Sequence, residues 1–483
     1  MPTMQVSGPR SRAGHLRGAS PVPLPARLRP AVPLASAALL AALALPALPG
    51  LGAPAVASPA SPTDPAGPDP TARAIGLSTV TVSVPPEFDD APFDRKRTVR
   101  VPSGWSVSVW ARRLAPRLMV VAPDGRMLVS RPKTGVVTRL TPHGSSRATS
   151  KTLLSGLRQP HGLAFDGSTL YVAESHRIDR YTYKNGKVGK RTTVLSGLPD
   201  AKSKDLRGAY AHALKSLAVG PDHALYISIG SQGNTSAADR SASPQRASVL
   251  RLAKGATKAT VFARGVRNGT GLAVAPDGAL WTAVNNRDNI AYPYDRDYDG
   301  DGSSDRGKVM TGYVNDHPVE PLARLTKGRD LGWPYCNPDP DVEPGVRGTD
   351  FDYSDRPFVR DQELNANGSK LDCSGLTRLE QGLPAHSAPL GLSFTRKSLP
   401  GVDTGALVGV HGSWNRKPPR APEVAFFPYA DGGLGDQQTL MSGFQDANGN
   451  RWGRPVAAVQ GADGAVYVSD DLANAVYRLA PPA

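Results

Sequence analysis

One pattern of apolar and polar positions recurs along the chain. It consists of a few apolar residues, a turn that contains Asp-Gly or Pro-Asp, and a segment in which apolar and polar residues alternate. Each copy predicts a β-hairpin, because Asp-Gly adopts the positive φ of a tight turn and β-branched or aromatic residues flank it. The copies lie at residues 119–129, 162–172, 216–228, 271–281 and 457–468, with a degenerate copy at 391–394 and 405–410.

The spacing of these hairpins predicts a repeated four-stranded unit. Successive hairpins are about 45–65 residues apart, with one gap near twice that length. A lone hairpin cannot bury both of its faces, so the units must stack, and radial stacking leaves few exposed strand edges. We therefore predict an all-β fold, a six-bladed β-propeller with loop insertions on one face, the largest at about residues 285–390. A β-sandwich with coincidental turns is the alternative.

The composition agrees with a turn-rich β protein. The chain has 483 residues, of which 50 are Gly and 46 are Pro, and this density excludes long helices and coiled coils. The hydrophobic fraction of 39% is enough for a sizeable core in a chain of this length, so general disorder is excluded as well.

The first 57 residues have the composition of a secretory signal. A basic stretch is followed by an apolar stretch at 31–50 and by A-V-A at 55–57, a small-x-small pattern that signal peptidase accepts. Residues 58–74 have the composition of a linker rich in Pro and Ser, which leaves 75–483 for the propeller. We expect a secreted protein, extracellular or periplasmic, with no stable membrane span after cleavage. An uncleaved anchor is the alternative, although prolines interrupt the apolar stretch.

The formal net charge of +15 decreases when the leader is removed. Residues 1–57 contain five Arg and no Lys, Asp or Glu, so 52 basic residues stand against 42 acidic residues in the remainder, a net charge of +10. The basic residues are scattered, and no helix–turn–helix, zinc-finger or aromatic-interleaved pattern accompanies them. A nucleic-acid partner is therefore not expected.

The chain contains two cysteines, Cys336 and Cys373. In an oxidising compartment an even pair predicts a disulfide. In the chain-entropy description, closing such a loop stabilises a fold by about 3–4 kcal/mol. Two buried free thiols are the alternative, and a catalytic cysteine is not expected.

Polar residues occur at matching positions in several repeats, a few residues before each predicted inner strand. Because inner strands of a propeller run side by side, these residues are expected at one mouth of the central channel. Arg makes bidentate contacts to carboxylates, so the group predicts a site for a planar polyanion. The alternative for each arginine alone is a solvated surface charge. The group comprises His161, His212, Arg267, Asn268, Trp452 and Arg454, together with Arg416, which follows a strand of the fifth unit.

Four phrases resemble the PQQ-dependent glucose/sorbosone dehydrogenase family (PQQ is pyrroloquinoline quinone). They are R-N before G-x-G-L-A at 267–273, L-G-W-P-Y-C at 331–336, H-G-S-W-N-R at 411–416 and W-G-R-P at 452–455. The resemblance covers roughly residues 100–480 and is greater to the sorbosone-dehydrogenase-like branch. It implies a secreted six-bladed propeller that oxidises a sugar with PQQ and Ca²⁺.

The resemblance also implies roles for individual residues. His212 would be the general base that takes the proton of the sugar C1 hydroxyl while the C1 hydride passes to the quinone. A neutral imidazole suits this role because its pKa lies near working pH. The alternative for His212 is a structural histidine that is hydrogen-bonded within the fold.

Other residues would hold the cofactor by the same resemblance. Arg267 and Asn268 would face PQQ, Arg454 would bind one of its carboxylates, and Arg416 stands where the glucose enzymes carry a Lys. Ca²⁺ would polarise the quinone carbonyl. It would be held by backbone carbonyls of the loop Asn286, Arg287 and Asp288.

Two positions depart from the glucose enzymes of that family. Ala211 stands where those enzymes have an Asp beside the base, so the partner that orients His212 is missing or different. Trp452 stands where they have a second cofactor-binding Arg.

The segment D-Y-D-G-D-G-S-S-D at 297–305 has the spacing of a calcium-binding loop. Position 12 is Lys308 rather than the bidentate Glu of an EF-hand. The segment predicts a structural Ca²⁺ site, and a solvated acidic loop is the alternative. The predicted ligands, at positions 1, 3, 5 and 9, are Asp297, Asp299, Asp301 and Asp305.

Together these observations predict an oxidoreductase that acts on an aldose or on a sugar aldehyde or hemiacetal, with PQQ and Ca²⁺ as cofactors. Its partners would be a small sugar and an external electron acceptor, such as a quinone, a cytochrome or a dye. Two alternatives stay open. One is a non-catalytic propeller that binds carbohydrate or protein, and the other is a six-bladed sugar lactonase, which would need acidic ligands from several blades around one metal.

Overall fold

Six antiparallel sheets, arranged as the blades of a β-propeller, make up most of the computed structural model, which describes residues 74–143 and 147–482. The prediction of an all-β, six-bladed propeller is confirmed. The predicted leader at 1–57 and, apart from residue 74, the predicted linker at 58–74 lie outside the described residues.

The first half of the described chain supplies an N-terminal hairpin and three blades. The hairpin contains β1 (Leu77–Thr81) and β2 (Thr98–Pro102), with a 3-10 helix at Pro86–Phe88 between them, and β3 (Ser106–Arg112) follows. Blade one contains β4 (Met119–Val121), β5 (Met127–Arg131), β6 (Val136–His143) and β7 (Arg147–Leu154). Blade two contains β8 (Leu163–Asp166), β9 (Thr169–Ala173), β10 (Arg177–Lys184), β11 (Lys187–Val188) and β12 (Thr192–Ser196). Blade three contains β13 (Ser216–Val219), β14 (Leu225–Ile229), a 3-10 helix at Ala237–Arg240, β15 (Ser248–Leu252) and β16 (Thr260–Arg264).

The second half supplies the other three blades. Blade four contains β17 (Gly271–Val274), β18 (Leu280–Ala283), helix α1 (Thr311–Asp316), β19 (Glu320–Leu325), the separate pair β20 (Cys336–Pro338) and β21 (Phe358–Arg360), and β22 (Gln381–Leu383). Blade five contains β23 (Pro389–Phe394), β24 (Gly405–Val410), β25 (Glu423–Ala430), β26 (Gly433–Leu434) and β27 (Gln438–Met441). Blade six contains β28 (Pro455–Gln460), β29 (Val466–Asp470) and β30 (Ala475–Ala480).

Each of the six predicted hairpins forms the first two strands of a blade. In blade four, the carboxylate of Asp277 accepts the backbone N–H of Ala279 (3.0 Å), and Gly278 has a φ of +87°. A side chain at that φ would be strained, which explains why glycine occupies the turn.

Apolar side chains fill the spaces between neighbouring blades. Each of six buried clusters lies between two adjacent blades. Between blades four and five, for example, Trp281 and Leu322 pack with Val408 and Phe427. Both faces of each sheet are therefore covered, which is the packing that a ring of blades requires.

A strand from the N-terminal side of the blades closes the ring. β3 pairs with β30 as the outer strand of blade six, from Ser106 opposite Ala480 to Arg112 opposite Ala475. Val109 on β3 is 0% exposed. Closure joins distant parts of the chain and removes the free edges that an open array would have.

The predicted insertion at about 285–390 is divided by strands that belong to blade four. The first insertion, residues 284–319, connects β18 to β19 and contains the acidic loop and α1. The second insertion, residues 326–380, connects β19 to β22 and contains β20 and β21. The outer strands β19 and β22 lack the Asp-Gly turn pattern, which explains why the sequence did not reveal them.

The predicted disulfide is present. Cys336 and Cys373 are bonded across the second insertion, with their Cα atoms 5.7 Å apart. Both residues are buried and pack in the cluster between blades three and four. In the described residues, no helix is long and apolar enough to cross a membrane.

Candidate active site

The first strand of each blade begins, and the second strand ends, at the same end of the central channel, because the two strands are antiparallel. This end is termed the mouth. It comprises the segments just before the first strands and just after the second strands. Most of the predicted site residues lie there: His161, His212, Arg267, Asn268, Asn286, Arg287, Asp288 and Arg454.

His212 is held in one tautomer by a partner that the sequence did not reveal. Its Nδ1 lies 3.0 Å from the carbonyl oxygen and 2.9 Å from Oγ of Ser231. The Ser231 hydroxyl donates to the carbonyl of Gly233 (2.7 Å), so both Ser231 oxygens accept from His212. Nδ1 therefore carries the hydrogen, and Nε2 has a free lone pair with no hydrogen-bond partner in the described part of the chain.

Burial and the neighbouring cation Arg267 lower the pKa of His212 to about 3. The ring is therefore neutral over the physiological pH range. The backbone at Gly230 packs directly against this histidine, since a Cβ at Gly230 would lie 2.5 Å from the His212 Cβ. The hydroxyl of Tyr210 donates to the Gly230 carbonyl (2.8 Å) and so holds the backbone at the end of β14 in place.

Arg267 connects blade three to blade four. Its guanidinium donates to the backbone carbonyls of Asn234 (3.2 Å) and Asn285 (3.0 Å) and to Oδ1 of Asn234 (3.1 Å). Its own carbonyl accepts the N–H of Ser231 (2.7 Å), next to the partner of His212. Burial lowers the pKa of Arg267 to about 10, so the group stays charged at neutral pH. Asn268 is buried beside it.

The loop after β18 presents two backbone carbonyls without partners. No donor in the described residues is hydrogen-bonded to the carbonyl oxygens of Asn286 and Arg287. The carbonyl of Asp288, by contrast, accepts from the side chain of Asn234 (2.9 Å). The Arg287 side chain extends into the second insertion, where it forms an ion pair with the buried Asp361.

Buried Glu320 supports this loop from blade four. Its carboxylate accepts the N–H of Asn286 (2.7 Å) and, more weakly, that of Ala388 (3.4 Å). Burial raises the pKa of Glu320 to about 7. His386 donates to the Val314 carbonyl (2.6 Å) and lies 3.1 Å from the Asp288 carboxylate. Burial alone would lower the pKa of His386, but these two acceptors outweigh it and raise the pKa.

A second histidine with a defined tautomer, His411, lies at the mouth just after β24. Nε2 of His411 is 2.9 Å from Oδ1 of Asp471, and Arg117 donates to Oδ2 of the same carboxylate (2.7 Å). Burial would raise the pKa of Asp471, but His411 and Arg117 hold it at about 2, so Asp471 accepts from Nε2. Nδ1 of His411 then has the free lone pair. Arg454, as predicted for a residue of the mouth, donates to the His411 carbonyl (2.9 Å).

His161 and Lys215 form a buried polar pair between blades two and three. Nδ1 of His161 lies 3.3 Å from the Lys215 carbonyl, and its Nε2 is buried without a hydrogen-bond partner in the described residues. Burial lowers the pKa of His161 to about 3 and that of Lys215 to about 7. The Lys215 ammonium donates to the carbonyl of Ala213 (2.5 Å) and lies over the ring of Tyr210.

Two predicted cofactor residues are engaged elsewhere. Arg416 donates to the carboxylate of Asp316 at the end of α1 (2.8 Å). Trp452 packs edge-on to Phe93 and at a tilt to Phe444, and its indole N–H donates to the carbonyl of Gly443 (2.8 Å). The side-chain contacts of Trp452 in the described residues are therefore with this aromatic cluster and not with the predicted residues of the mouth.

Three of the four predicted calcium ligands lie together in the acidic loop. Carboxylate oxygens of Asp297, Asp299 and Asp305 are all within 4.8 Å of one another, whereas Asp301 accepts from Ser303 instead. In the described residues, the other such group of His and acidic side chains is His317 with two aspartates. Both groups lie in the insertions rather than around the channel, so neither supports the lactonase alternative.

Several mouth residues were missed although their positions match the pattern. His386 precedes β23 by three residues, much as His161 precedes β8, and Asp471 follows β29 as His411 follows β24. Applying the offset to every blade would have found them. Ser231 and Glu320 carry no such signal, because their roles depend on contacts between segments distant in sequence.

A family model described as TrAA12-like matches residues 99–481. The chain belongs to the TrAA12-like family. The match covers all six blades of the propeller, and it agrees with the resemblance to PQQ-dependent sugar dehydrogenases that the motifs indicate.

Individual relatives of this TrAA12-like chain differ in how much of it they match. An uncharacterized protein of Borreliella burgdorferi is 24% identical over 405 residues, which cover 79% of this chain and 90% of that protein. The PQQ-dependent pyranose dehydrogenase of Coprinopsis cinerea is 36% identical over 117 residues, 20% of this chain and 15% of that enzyme. The holo structure of the PQQ domain of pyranose dehydrogenase from Coprinopsis cinerea has a TM-score of 0.64 at 20% identity, and the alignment covers 83% of this chain and 100% of that domain.

Proposed function

We propose that this protein oxidises a sugar at the mouth of the channel, with PQQ and Ca²⁺ as cofactors. The observation that carries the proposal is His212, a buried neutral histidine whose Nε2 has no hydrogen-bond partner in the described residues, beside the cation Arg267. Membership of the TrAA12-like family supports it, because a curated relative is a PQQ-dependent pyranose dehydrogenase.

The mouth has the positive charge that a tricarboxylate such as PQQ would need. Arg117, Lys215, Arg267 and Arg454 come from four different blades. Nε2 of His161 is buried without a partner in the described residues, and because Nδ1 faces the Lys215 carbonyl, Nε2 is an acceptor that a donor group of a ligand would satisfy. Arg117, Arg267 and Arg454 would hold the carboxylates of the cofactor by charge-assisted hydrogen bonds.

The free carbonyls of Asn286 and Arg287 fit Ca²⁺, which binds oxygen ligands. Glu320 supports this arrangement, because its carboxylate accepts the N–H of Asn286 and so fixes the orientation of the loop. The carbonyl of Asp288 already accepts from Asn234, so we limit the proposed protein ligands to the first two.

When bound, PQQ supplies a quinone that can accept the hydride of a sugar C1 carbon. His212 would take the proton of the C1 hydroxyl on Nε2, since Nδ1 already donates to Ser231. With a pKa of about 3 the imidazole is a weak base. The negative charge of the cofactor would stabilise the imidazolium and raise that pKa toward the working range.

His411 is a second candidate for the same role. Its Nε2–H donates to Asp471, which leaves Nδ1 as the free base, and Asp471 is fixed by Arg117. A carboxylate partner stabilises the imidazolium that forms when a histidine accepts a proton, and Ser231 cannot do this for His212. We assign the base to His212 on the resemblance, and the test below separates the two histidines.

The proposal extends to location and partner. A leader at 1–57 would direct the protein out of the cytoplasm, and the disulfide between Cys336 and Cys373 is consistent with an oxidising compartment. Electrons would leave the reduced cofactor to an external acceptor. The acidic loop with Asp297, Asp299 and Asp305 would bind a second, structural Ca²⁺.

Reconstitution tests the function. We expect saturable binding of PQQ to the purified protein in the presence of Ca²⁺, followed by absorbance, and reduction of an artificial dye with at least one sugar of an aldose and sugar-aldehyde panel. His212→Gln should bind PQQ normally and lower kcat by about 10²–10⁴-fold. The matched control is His223→Gln, because His223 is half-exposed in a hairpin turn at the other end of blade three.

The outcome can contradict the proposal at two levels. Absence of saturable PQQ binding and of dye reduction with every sugar would exclude the enzyme. If His411→Gln, rather than His212→Gln, lowers kcat and shifts the pH–rate profile while PQQ binding is retained, the base is His411.

A further inference from the structure

One tryptophan at the mouth is unlike the others. Trp414 is 76% exposed, whereas Trp105, Trp110, Trp281 and Trp333 are each at most 3% exposed. An indole has a large apolar surface, and burying this surface against a ligand is favourable. A solvent-exposed tryptophan is therefore a candidate ligand-binding residue, whereas a buried one serves the core.

The loop that presents Trp414 is held firmly to the site described above. On one side of it, Arg454 donates to the carbonyl of His411 (2.9 Å), and Arg451 donates to the carbonyl of Ser413 (2.5 Å). On the other side, Arg416 forms an ion pair with Asp316. The backbone on both sides of the indole is therefore fixed while the indole itself is exposed.

Amide side chains continue the rim beside this tryptophan. Asn415 donates to Oδ1 of Asn289 (2.8 Å), which joins the loop of blade five to the loop after β18. Asn289 is exposed and Asn415 is half-buried, and the Asn289 amide nitrogen and the Asn415 side-chain oxygen have no partner in the described residues. The rim continues to Asn234, which exchanges hydrogen bonds with the backbone of Asp288 and accepts from Arg267.

We propose that Trp414, with the amides of Asn415 and Asn289, binds a sugar unit adjacent to the one at the mouth, so that the preferred substrate is the end of a neutral oligosaccharide. An indole face covers the C–H face of a pyranose, and free amide groups donate to and accept from its hydroxyls. The charged neighbour Arg416 is paired with Asp316, and the groups that Trp414, Asn415 and Asn289 offer to a ligand are uncharged. The proposal rests on the sugar oxidation proposed above, because it names the substrate class of the same site.

Trp414 can be followed without cofactor or turnover. It is the most exposed of the six tryptophans, so iodide should quench its emission selectively. We expect at least one of maltotriose, cellotriose, xylotriose and mannotriose to protect this emission from iodide in the full chain without PQQ, whereas glucose should protect it weakly. Trp414→Phe should remove the iodide-accessible emission.

Affinity and kinetics supply the second readout. Trp414→Ala should weaken binding of the protecting trisaccharide about tenfold by calorimetry, and should raise the ratio of its KM to that of the monosaccharide by a similar factor. Phe351→Ala is the matched control, because Phe351 is an exposed aromatic residue of the second insertion (38% exposed). This control should leave both quantities within twofold.

The results separate this inference from the function on which it rests. If no trisaccharide protects Trp414, or if Trp414→Ala leaves the KM ratio unchanged, the inference is wrong although sugar oxidation stands. If trisaccharides protect Trp414 but no sugar is oxidised, the oxidation proposal fails and the rim is a glycan-binding surface. If a protein partner but no saccharide protects the Trp414 emission from iodide, the oligosaccharide inference is also wrong.

Discussion

Histidines of this protein have opposite pKa shifts because their partners differ. His161 and His212 are buried beside cations and backbone oxygens, and burial lowers the pKa of each to about 3. Burial alone would also lower the pKa of His317, but Asp339 and Asp341 outweigh it and raise the pKa to about 9. Two histidines are therefore neutral in the folded protein and one is an imidazolium, although all are inside it.

The neutral histidines predict a specific dependence of stability on pH. His161 binds a proton only near pH 3 in the folded state and near its ordinary pKa of 6.5 in the unfolded state. As pH falls below 6.5, protonation therefore favours unfolding, and the contribution is absent above that pH. Below pH 6.5, this protonation lowers the free energy of unfolding by about 1.4 kcal/mol per pH unit.

Comparing wild type with His161→Gln isolates the contribution of His161 to the pH dependence of stability. Glu320 and Asp470, whose pKa values burial raises to about 7 and about 6, act in the opposite direction, so the wild-type curve alone does not report one histidine. Between pH 6.5 and 4.5, the free energy of unfolding of wild type minus that of His161→Gln should fall by about 2–3 kcal/mol. A constant difference over this range would show that His161 is not neutral in the fold. His223→Gln, at an exposed site, is the control.

At the residue scale, the sequence pattern located residues at the mouth but did not identify their hydrogen-bond partners. His212, Arg267 and Arg454 were found because each lies a few residues before an inner strand. In a repeated architecture, residues at this position of every blade lie at the same end of the channel. The orienting partner of His212 is Ser231, from the other side of blade three's first hairpin. No spacing rule predicts that contact, since it depends on how two loops pack.

At the scale of the element, the position of His212 depends on the end of β14. Gly230 follows this strand, and a methyl group there would lie 2.5 Å from the Cβ and 2.7 Å from the carbonyl oxygen of His212. Real Cβ atoms do not approach so closely, so either the loop or the histidine must move.

Gly230→Ala should therefore lower kcat by about tenfold or more, while PQQ titration gives nearly unchanged affinity, because displacement of the proposed base by about 1 Å is costly. The matched control is Gly233→Ala, three residues further along the loop, where a Cβ would meet nothing within 4 Å. Equal kcat values for the two variants would show that the close approach at Gly230 does not position His212.

Elements without a turn signal were the hardest to predict. Hairpins with Asp-Gly turns were located correctly, but β19 and β22 lie inside the range predicted as one insertion. β19 is buried at most positions, and its strand character is decided by pairing with β18 and β22. A short buried strand between long loops has no local pattern that distinguishes it from the loops.

At the scale of the whole molecule, stability depends on closing the ring. β3 comes from the N-terminal side of the blades and completes blade six with strands from the C-terminal end. Trp105, Val107 and Val109 pack there with side chains of blades five and six. The first and last strands of the propeller are thus bound to each other.

Val109→Ala should lower the free energy of unfolding by about 2–3 kcal/mol, since it removes buried methyl groups at the closing strand. Denaturation followed by far-UV circular dichroism and by tryptophan fluorescence would measure it. The neighbouring Ser108→Ala, on the other face of β3, should change stability by less than about 0.5 kcal/mol. A change equally small in Val109→Ala would mean that closure by β3 contributes little.

The sequence by itself determined the repeat, the number of blades, the disulfide pair and the end of the channel where polar residues gather. These follow from local turn chemistry and from a period that every blade shares, so short segments carry the information. Only the tertiary structure decided which oxygens orient His212 and His411, which carbonyls of the loop after β18 have no partner in the described part of the chain, and that Trp414 is exposed while Trp452 is packed. Those properties depend on contacts between distant segments, and on which atoms lose water when the blades close into a ring.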